Sequence, residues 1–243
     1  MRKLLFFSLL ILGVILISAD FTTLLAQDGV ADTTGFQALK EKFIEGGWSF
    51  MTFVLVCLIL GLAFCIERII TLNIATTNTD KLIERIDENL KSGDVNGAME
   101  VCKSTSGPTA SILYEGLRNA NKGPVAVEKA IVSYGSVQMG LLEKGLVWIS
   151  LFIAIAPMLG FMGTVIGMIG AFDEIQAKGD ISPQIVAGGI KVALLTTVFG
   201  LIVAIILQVF YNYIVNKIDG IVLNMEDASI ALVDVMDRNN IFK

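Results

Sequence analysis

The sequence predicts an all-α membrane protein with three transmembrane helices in the mature chain and long helices that extend into the cytoplasm. Apolar residues make up 54% of its 243 positions and charged residues only 17%, a far more apolar balance than that of soluble proteins. Beyond the amino-terminal segment, three uncharged or nearly uncharged runs reach the roughly 20 residues that cross a bilayer as a helix. Lysine and arginine are also unevenly distributed between these runs.

These runs divide the chain into eight predicted parts. The parts are a signal peptide (1–26), a periplasmic amino-terminal segment (27–47), transmembrane helix 1 (48–67), a cytoplasmic helical region (68–144), transmembrane helix 2 (145–172), a periplasmic loop (173–183), transmembrane helix 3 (184–216) and a cytoplasmic tail (217–243).

The first 26 residues have the composition of a secretory signal peptide. A basic start precedes 16 uncharged residues, 4–19, and Ala26 offers a small residue for cleavage. Because Leu24 suits such a site poorly, an uncleaved anchoring helix is the alternative, although we favour cleavage. Both forms place the residues that follow outside the membrane.

Basic residues predict the orientation of the three spans. Residues 68–144 carry nine Lys or Arg and residues 217–243 carry three, whereas the predicted loop 173–183 carries only Lys178. The positive-inside rule therefore places the first two segments in the cytoplasm and the loop outside. The mature amino terminus is then periplasmic and the carboxy terminus cytoplasmic.

Two stripes of small and polar residues run along transmembrane helices 2 and 3. Steps of three, four or seven keep residues on one helical face, where small side chains let helix backbones approach closely. The stripe of helix 2 contains Gly160, Gly163, Gly167 and Gly170, flanked by Ser150, Pro157, Thr164 and Ala171. That of helix 3 contains Gly189, Ala193 and Thr197, followed by Gly200, Ala204 and Gln208. The short loop between the helices predicts an antiparallel hairpin with Thr164 and Thr197 at comparable depth.

The segments APMLGFMGTVIGMIGAF and GGIKVALLTTVFGLIVAI resemble the paired pore helices of the MotA/TolQ/ExbB proton-channel family. The pattern is an Ala-Pro, a Gly-Thr-Val-x-Gly and an Ala-Leu-x-Thr-Thr-x-x-Gly-Leu, and the resemblance extends over residues 48–219. It implies that Thr164 and Thr197 line the route of the protons. In one respect the chain differs from many members of the family, because Val192 stands where they carry a Glu.

The resemblance also implies partners and a location. It implies a ring of five copies in a bacterial inner membrane, around a single-span partner similar to ExbD that carries a membrane Asp. A partner similar to TonB would belong to the import branch of the family. In this interpretation, protonation and release of the partner's Asp would drive a movement that transmits force across the envelope.

Composition excludes several other chemistries. The chain has no His, and its three cysteines, Cys57, Cys65 and Cys102, offer neither a zinc site nor a His-based nucleophilic triad. We therefore predict no cofactor, no metal and no enzymatic activity. The net charge of −5 without a basic stripe argues against a nucleic-acid partner. Apart from Glu67, the last residue of transmembrane helix 1, the three spans contain no Asp or Glu, so a carboxylate that carries protons inside the membrane must come from a partner.

The cytoplasmic segments have the periodicity of amphipathic helices. Leu82, Ile86 and Leu90 step by four, and this helix should end near Gly93. Further helices are predicted over residues 95–103 and from Pro108 and Pro124, the last one continuing into transmembrane helix 2 without a break. The tail should continue transmembrane helix 3, with Ile218, Ile221, Leu223 and Met225 as its apolar residues. Such apolar stripes also favour self-association.

Lys191 is the one charge inside transmembrane helix 3. We expect its side chain to reach the outer interface or a neighbouring subunit. The alternative is an electrostatic gate near the outer mouth of a pore.

Three functions stay open at this point. The first is the proton-channel subunit of an inner-membrane motor that energises outer-membrane transport, as in ExbB, and the second is envelope maintenance, as in TolQ. The third is a non-conducting scaffold whose small residues serve only helix packing.

Overall fold

A computed structural model describes residues 35–242, and every regular element among them is helical. The predicted signal peptide and residues 27–34 of the predicted periplasmic segment lie outside the described residues. The helices are α1 (Gly35–Glu45), α2 (Trp48–Ala75), α3 (Thr79–Lys91), α4 (Val95–Ser104), α5 (Pro108–Arg118), a short 3₁₀ helix (Ala120–Lys122), α6 (Pro124–Glu143), α7 (Leu146–Lys178) and α8 (Pro183–Arg238).

Three helical stretches within this described part are long and apolar enough to cross a membrane. They are Trp48–Lys91, Pro124–Lys178 and Pro183–Arg238, and their most apolar 18-residue windows have mean hydropathies of 2.7, 2.2 and 2.6. Each stretch contains one predicted span, so the prediction of an all-α membrane protein with three transmembrane helices is confirmed. The 11-residue helix α1, which precedes the first span, was not predicted.

The chain forms two compact units. The hairpin unit contains the described residues 35–52 and 161–198, and the helical unit contains residues 53–160 and 199–242.

Large apolar side chains fill the core of the helical unit. Leu82, Ile86 and Leu90 of α3 are buried, which confirms the period of four seen in the sequence. They belong to one cluster with side chains from α5 and α8, such as Leu113, Leu117, Leu232 and Met236. Burial of one such side chain typically stabilises a fold by about 1.5–3 kcal/mol where the alternative is water.

The short helices begin where capping residues predict. Asn78 and Asp94 accept hydrogen bonds from backbone amides in the first turns of α3 and α4, through their side-chain oxygens. Pro108 and Pro124 occupy the first positions of α5 and α6, where a missing amide hydrogen costs nothing. The predicted starts of α4, α5 and α6 are therefore confirmed.

The predicted continuity between α6 and α7 is wrong. Lys144 and Gly145 form a turn there, and Gly145 has φ of +92°. Beside this turn the side chain of Arg68, only 5% exposed, donates a hydrogen bond from Nη2 to the carbonyl of Leu142. That carbonyl belongs to the last turn of α6, whose oxygens have no partner within the helix and form the negative end of its dipole. Arg68 thus stabilises the interruption.

Helix α8 continues well past the predicted membrane span, as expected for the tail. Ile218, Ile221 and Met225 are buried in the helical unit, whereas Leu223, also named among the apolar residues of the tail, is 57% exposed. The buried face instead continues through residues spaced by three or four, including Ala228 and Leu232.

Candidate functional site: a helical hairpin of small residues

In the hairpin unit, α7 and α8 contact each other where Gly163 faces Thr196. A Cβ atom on Gly163 would lie 2.6 Å from both Cβ and Oγ1 of Thr196, which no side chain tolerates without movement. Thr196 is 1% exposed, and its hydroxyl donates a 2.8 Å hydrogen bond to the carbonyl of Ala193 in its own helix. The glycine therefore provides the space that the threonine fills.

A second contact lies about two turns further along α8, towards the loop. A Cβ on Gly189 would lie 2.4 Å from Cβ of Ala171 and 3.2 Å from the carbonyl oxygen of Gly167. A Cβ on Gly167 would lie 3.3 Å from the backbone nitrogen of Ala193. The two backbones approach closely because these positions carry little or no side chain.

Two further residues of the predicted stripes lie in the helical unit and form a similar contact. A Cβ on Gly200 would lie 2.6 Å from the carbonyl oxygen of Ala156 and 3.1 Å from Cα of Gly160. Ala204 is half-buried in the same unit. Gly170 differs from Gly163 and Gly167, since no atom lies within 4 Å of a Cβ placed on it.

Thr164 and Thr197 are sequence neighbours of the contacting pair, and both are half-buried. The hydroxyl of Thr164 donates a 2.6 Å hydrogen bond to the carbonyl of Phe161, and that of Thr197 a longer one of 3.3 Å to the carbonyl of Ala193. A hydroxyl that donates to its own helix keeps oxygen lone pairs that can accept a further hydrogen bond. It can also rotate to donate elsewhere.

Sequence reasoning missed the packed threonine, Thr196. The predicted stripe of transmembrane helix 3 contains Gly189, Ala193 and Thr197, in steps of four, and omits Thr196. A signal was present, because Gly200 lies four residues after Thr196, so steps of four, three and four connect Gly189 to Gly200 through Thr196.

The remaining residues predicted for the proton route lie in the helical unit. Ser150 is exposed and lines a cavity together with Glu143 and Tyr211. Pro157 is half-buried within α7, and Gln208 is exposed and donates a 2.9 Å hydrogen bond to the side-chain oxygen of Asn212. All are polar or helix-perturbing groups within apolar stretches, and none can release a proton near neutral pH.

Lys191 contacts the carboxylate of Glu45, a pairing that was not predicted from the sequence. Its Nζ donates a 2.9 Å hydrogen bond to Oε1 of Glu45, the last residue of α1, while Lys42 lies 3.1 Å from Oε2 of the same side chain. The hydrogen bond from Lys191 is the main cause that lowers the pKa of Glu45 below its usual value, and Lys42 acts in the same direction. The carboxylate is therefore ionised near neutral pH.

These features define a class of protein: a multi-pass α-helical membrane protein whose apolar helices pack through glycine, alanine and threonine. A model of the MotA/TolQ/ExbB proton channel family matches residues 104–227, just over half of the chain, and this range contains both stripes. The chain belongs to this family.

Individual relatives are of the ExbB type. The chain is 33% identical over 186 residues to a putative biopolymer transport protein ExbB homolog of Methanothermobacter thermautotrophicus, over 76% of this chain and 65% of the relative. It is 26% identical over 156 residues to a putative biopolymer transport protein ExbB-like 3 of Synechocystis, covering 63% of this chain and 74% of the relative. A biopolymer transport protein ExbB of Aquifex aeolicus is 36% identical over 85 residues, covering 35% of this chain and 57% of the relative. The chain thus spans less than two thirds of the first and third relatives.

Proposed function

We propose that this chain is the channel subunit of an inner-membrane motor that uses the proton motive force to energise outer-membrane transport. Membership of the proton channel family supports an ExbB-type role. The observation that carries the finer proposal is the pair of half-buried hydroxyls, Thr164 and Thr197, beside a glycine-mediated contact of two apolar helices.

In this proposal a partner supplies the proton carrier, and the chain supplies the hydrogen-bonding groups around that carrier. Apart from Glu67 at the end of transmembrane helix 1, the spans contain no Asp or Glu, and threonine hydroxyls do not ionise near neutral pH. A single-span, ExbD-like partner with a membrane Asp would sit within a ring of five copies of this chain. The two hydroxyls would then hydrogen-bond that carboxyl, as donors to its ionised form and as acceptors from its protonated form.

The proposed direction of flow follows from the proposed topology. With the amino terminus and the α7–α8 loop in the periplasm and the carboxy terminus in the cytoplasm, protons would enter at the loop end of the hairpin. Protonation and release of the partner's Asp would switch the assembly between two packing states and move the partner relative to the ring. A TonB-like protein would be linked onward to this partner.

Proton flux in proteoliposomes tests this function. The chain is reconstituted alone and together with the ExbD-like protein of its own organism, and uptake is driven by a pH gradient. We expect flux only with the partner, and a loss of at least about tenfold in Thr164→Val and Thr197→Val, because valine keeps the shape and removes the hydroxyl. Thr52→Val is the matched control, since this exposed threonine of α2 makes the same type of bond to its own helix, to Trp48.

Three outcomes would contradict the proposal. They are flux from the lone chain, full flux in both variants, and loss of flux only because the ring dissociates. A chain that forms rings but never conducts with its partner would instead be a scaffold.

Thiol labelling of intact cells tests the topology. The native cysteines should not react with the thiol reagent, because Cys57, Cys65 and Cys102 are at most 8% exposed. Burial also raises the pKa of Cys102 to about 12. A cysteine at the exposed Gln176, near the end of α7, should react with an impermeant reagent from outside, whereas one at the exposed Ser104 should not. The reverse pattern would invert the topology.

A further inference from the structure

Three charged side chains, in contact one with the next, connect α1 to α8 in the hairpin unit. Glu45 accepts hydrogen bonds from Lys42 at 3.1 Å and from Lys191 at 2.9 Å, using a different carboxylate oxygen for each. The Glu45 side chain is 27% exposed and that of Lys191 50% exposed. Lys191 is the one charged residue of the predicted span 184–216, so this contact brings a carboxylate to an otherwise apolar helix.

Lys191 lies between the loop and the motif threonine of α8. It precedes Thr197 by six residues, which corresponds to about 9 Å along the helix axis. A positive charge at that distance opposes the arrival of a hydronium ion, and the opposition is stronger where apolar side chains and lipid lower the local dielectric constant. A neighbouring carboxylate opposes this field and lowers the local positive potential.

The ion pair contributes little to stability by comparison. Partly exposed pairs typically contribute only about 0–1 kcal/mol, because water already screens both charges and the side chains lose freedom. The field of an unbalanced charge acts over a longer range than the contact itself, since the screening length is about 8–10 Å at physiological salt. The electrostatic effect of Glu45 therefore reaches the level of Thr197.

We propose that Glu45 balances the charge of Lys191 and thereby keeps the outer end of α8 open to protons. This inference rests on the proposed function, and it assigns to α1 an electrostatic role in proton entry. Glu45 acts as a positioning residue, because it fixes the Lys191 ammonium and offsets its charge without carrying protons itself.

The local potential can be measured without any proton flux. Ala187 is exposed and precedes Lys191 by one helical turn, so a cysteine there samples the same face. In Ala187→Cys protein we compare the modification rates by a cationic trimethylammonium methanethiosulfonate and an anionic sulfonate analogue. Adding Glu45→Gln should lower the cationic-to-anionic rate ratio on the order of fivefold, as Coulomb's law gives for one charge several ångströms away in a largely solvated site.

Matched variants complete the thiol experiment. Glu41→Gln removes the same charge from an exposed position of the same helix and should leave the ratio within about twofold of the parent. Lys191→Met combined with Glu45→Gln should restore the ratio. An unchanged ratio in Glu45→Gln, or an equal change in Glu41→Gln, overturns the inference.

Flux measurements with the ExbD-like partner then test proton entry. Glu45→Gln should lower the flux about threefold at low salt and less at high salt, and Lys191→Met should suppress this defect. A Glu45→Gln flux equal to that of the wild type, or a defect that Lys191→Met does not relieve, overturns the inference. A wild-type chain without partner-dependent flux overturns the proposed function instead, while the thiol ratio still decides the electrostatic role of Glu45.

Discussion

In the predicted cytoplasmic part of the helical unit, large side chains such as Leu113 and Met236 fill the space between helices, whereas in the predicted membrane spans of the hairpin unit α7 and α8 meet at Gly163, Thr196 and Gly189. The difference follows from the solvent that each region is expected to have. In water, burial of apolar area drives helices together, and a larger side chain contributes more. In lipid this driving force is missing, so helices associate through close contact of small residues. The same change in side-chain volume should therefore have opposite consequences in the two regions.

Removal of volume should affect the helical unit most. Leu113→Ala deletes most of a fully buried side chain, and such truncations cost about 2–5 kcal/mol because a cavity is left behind. We expect the melting temperature of the detergent-solubilised protein to fall by several degrees. Leu223→Ala, at a position 57% exposed, is the control and should change it little. Equal losses in both would mean that contacts between copies, rather than this core, hold the unit.

Addition of side-chain volume should destabilise the hairpin unit, although by less than removal of volume destabilises the helical unit. Gly189→Ala places a methyl group 2.4 Å from Cβ of Ala171, and overpacking of this kind typically costs about 1–3 kcal/mol. The adjacent Gly188→Ala is a closely matched control, because no atom lies within 4 Å of its virtual Cβ. The thermal stability of both variants in the same detergent checks this prediction. If the two lose the same stability, the cost comes from the backbone of α8 and not from the contact with α7.

The sequence predicted those features that depend on neighbours along the chain. The period of four at Leu82, Ile86 and Leu90 predicted the buried face of α3, and proline predicted the start of α6 at Pro124. The small-residue stripes predicted where glycine would be needed, although a 3.6-residue period left Thr196 and Thr197 as competing positions for the contact.

Features that depend on distant residues were not predictable in this way. The break between α6 and α7 involves Arg68, which is 74 residues away from the carbonyl it binds. The contact of Lys191 with Glu45 joins residues 146 apart. Hydrophobic periodicity carries no information about such pairs, because it reports which face of a helix is buried and not which helix covers it.

The smallest expected effect concerns Thr196, and it distinguishes a packing role from a chemical role for the two adjacent threonines Thr196 and Thr197. Thr196→Val keeps the volume that fills the space beside Gly163 and removes only a hydrogen bond to the carbonyl of Ala193 in the same helix. Its cost should be on the order of 0.6 kcal/mol, the average for hydrogen bonds between membrane helices. The variant should therefore retain ring assembly and partner-dependent proton flux. Thr197→Val, at the half-buried neighbour, should retain assembly and lose flux.

Thr196→Leu provides the volume control for this pair, because its extra bulk against Gly163 should impair assembly where valine does not. Flux and ring assembly of all three variants are measured in the same reconstitution. If Thr196→Val abolished flux while Thr197→Val retained it, the buried hydroxyl would be the one that serves the proton. The role that the family resemblance gives to Thr197 would then pass to its neighbour, and the contact with Gly163 would position a reactive group as well as pack two helices.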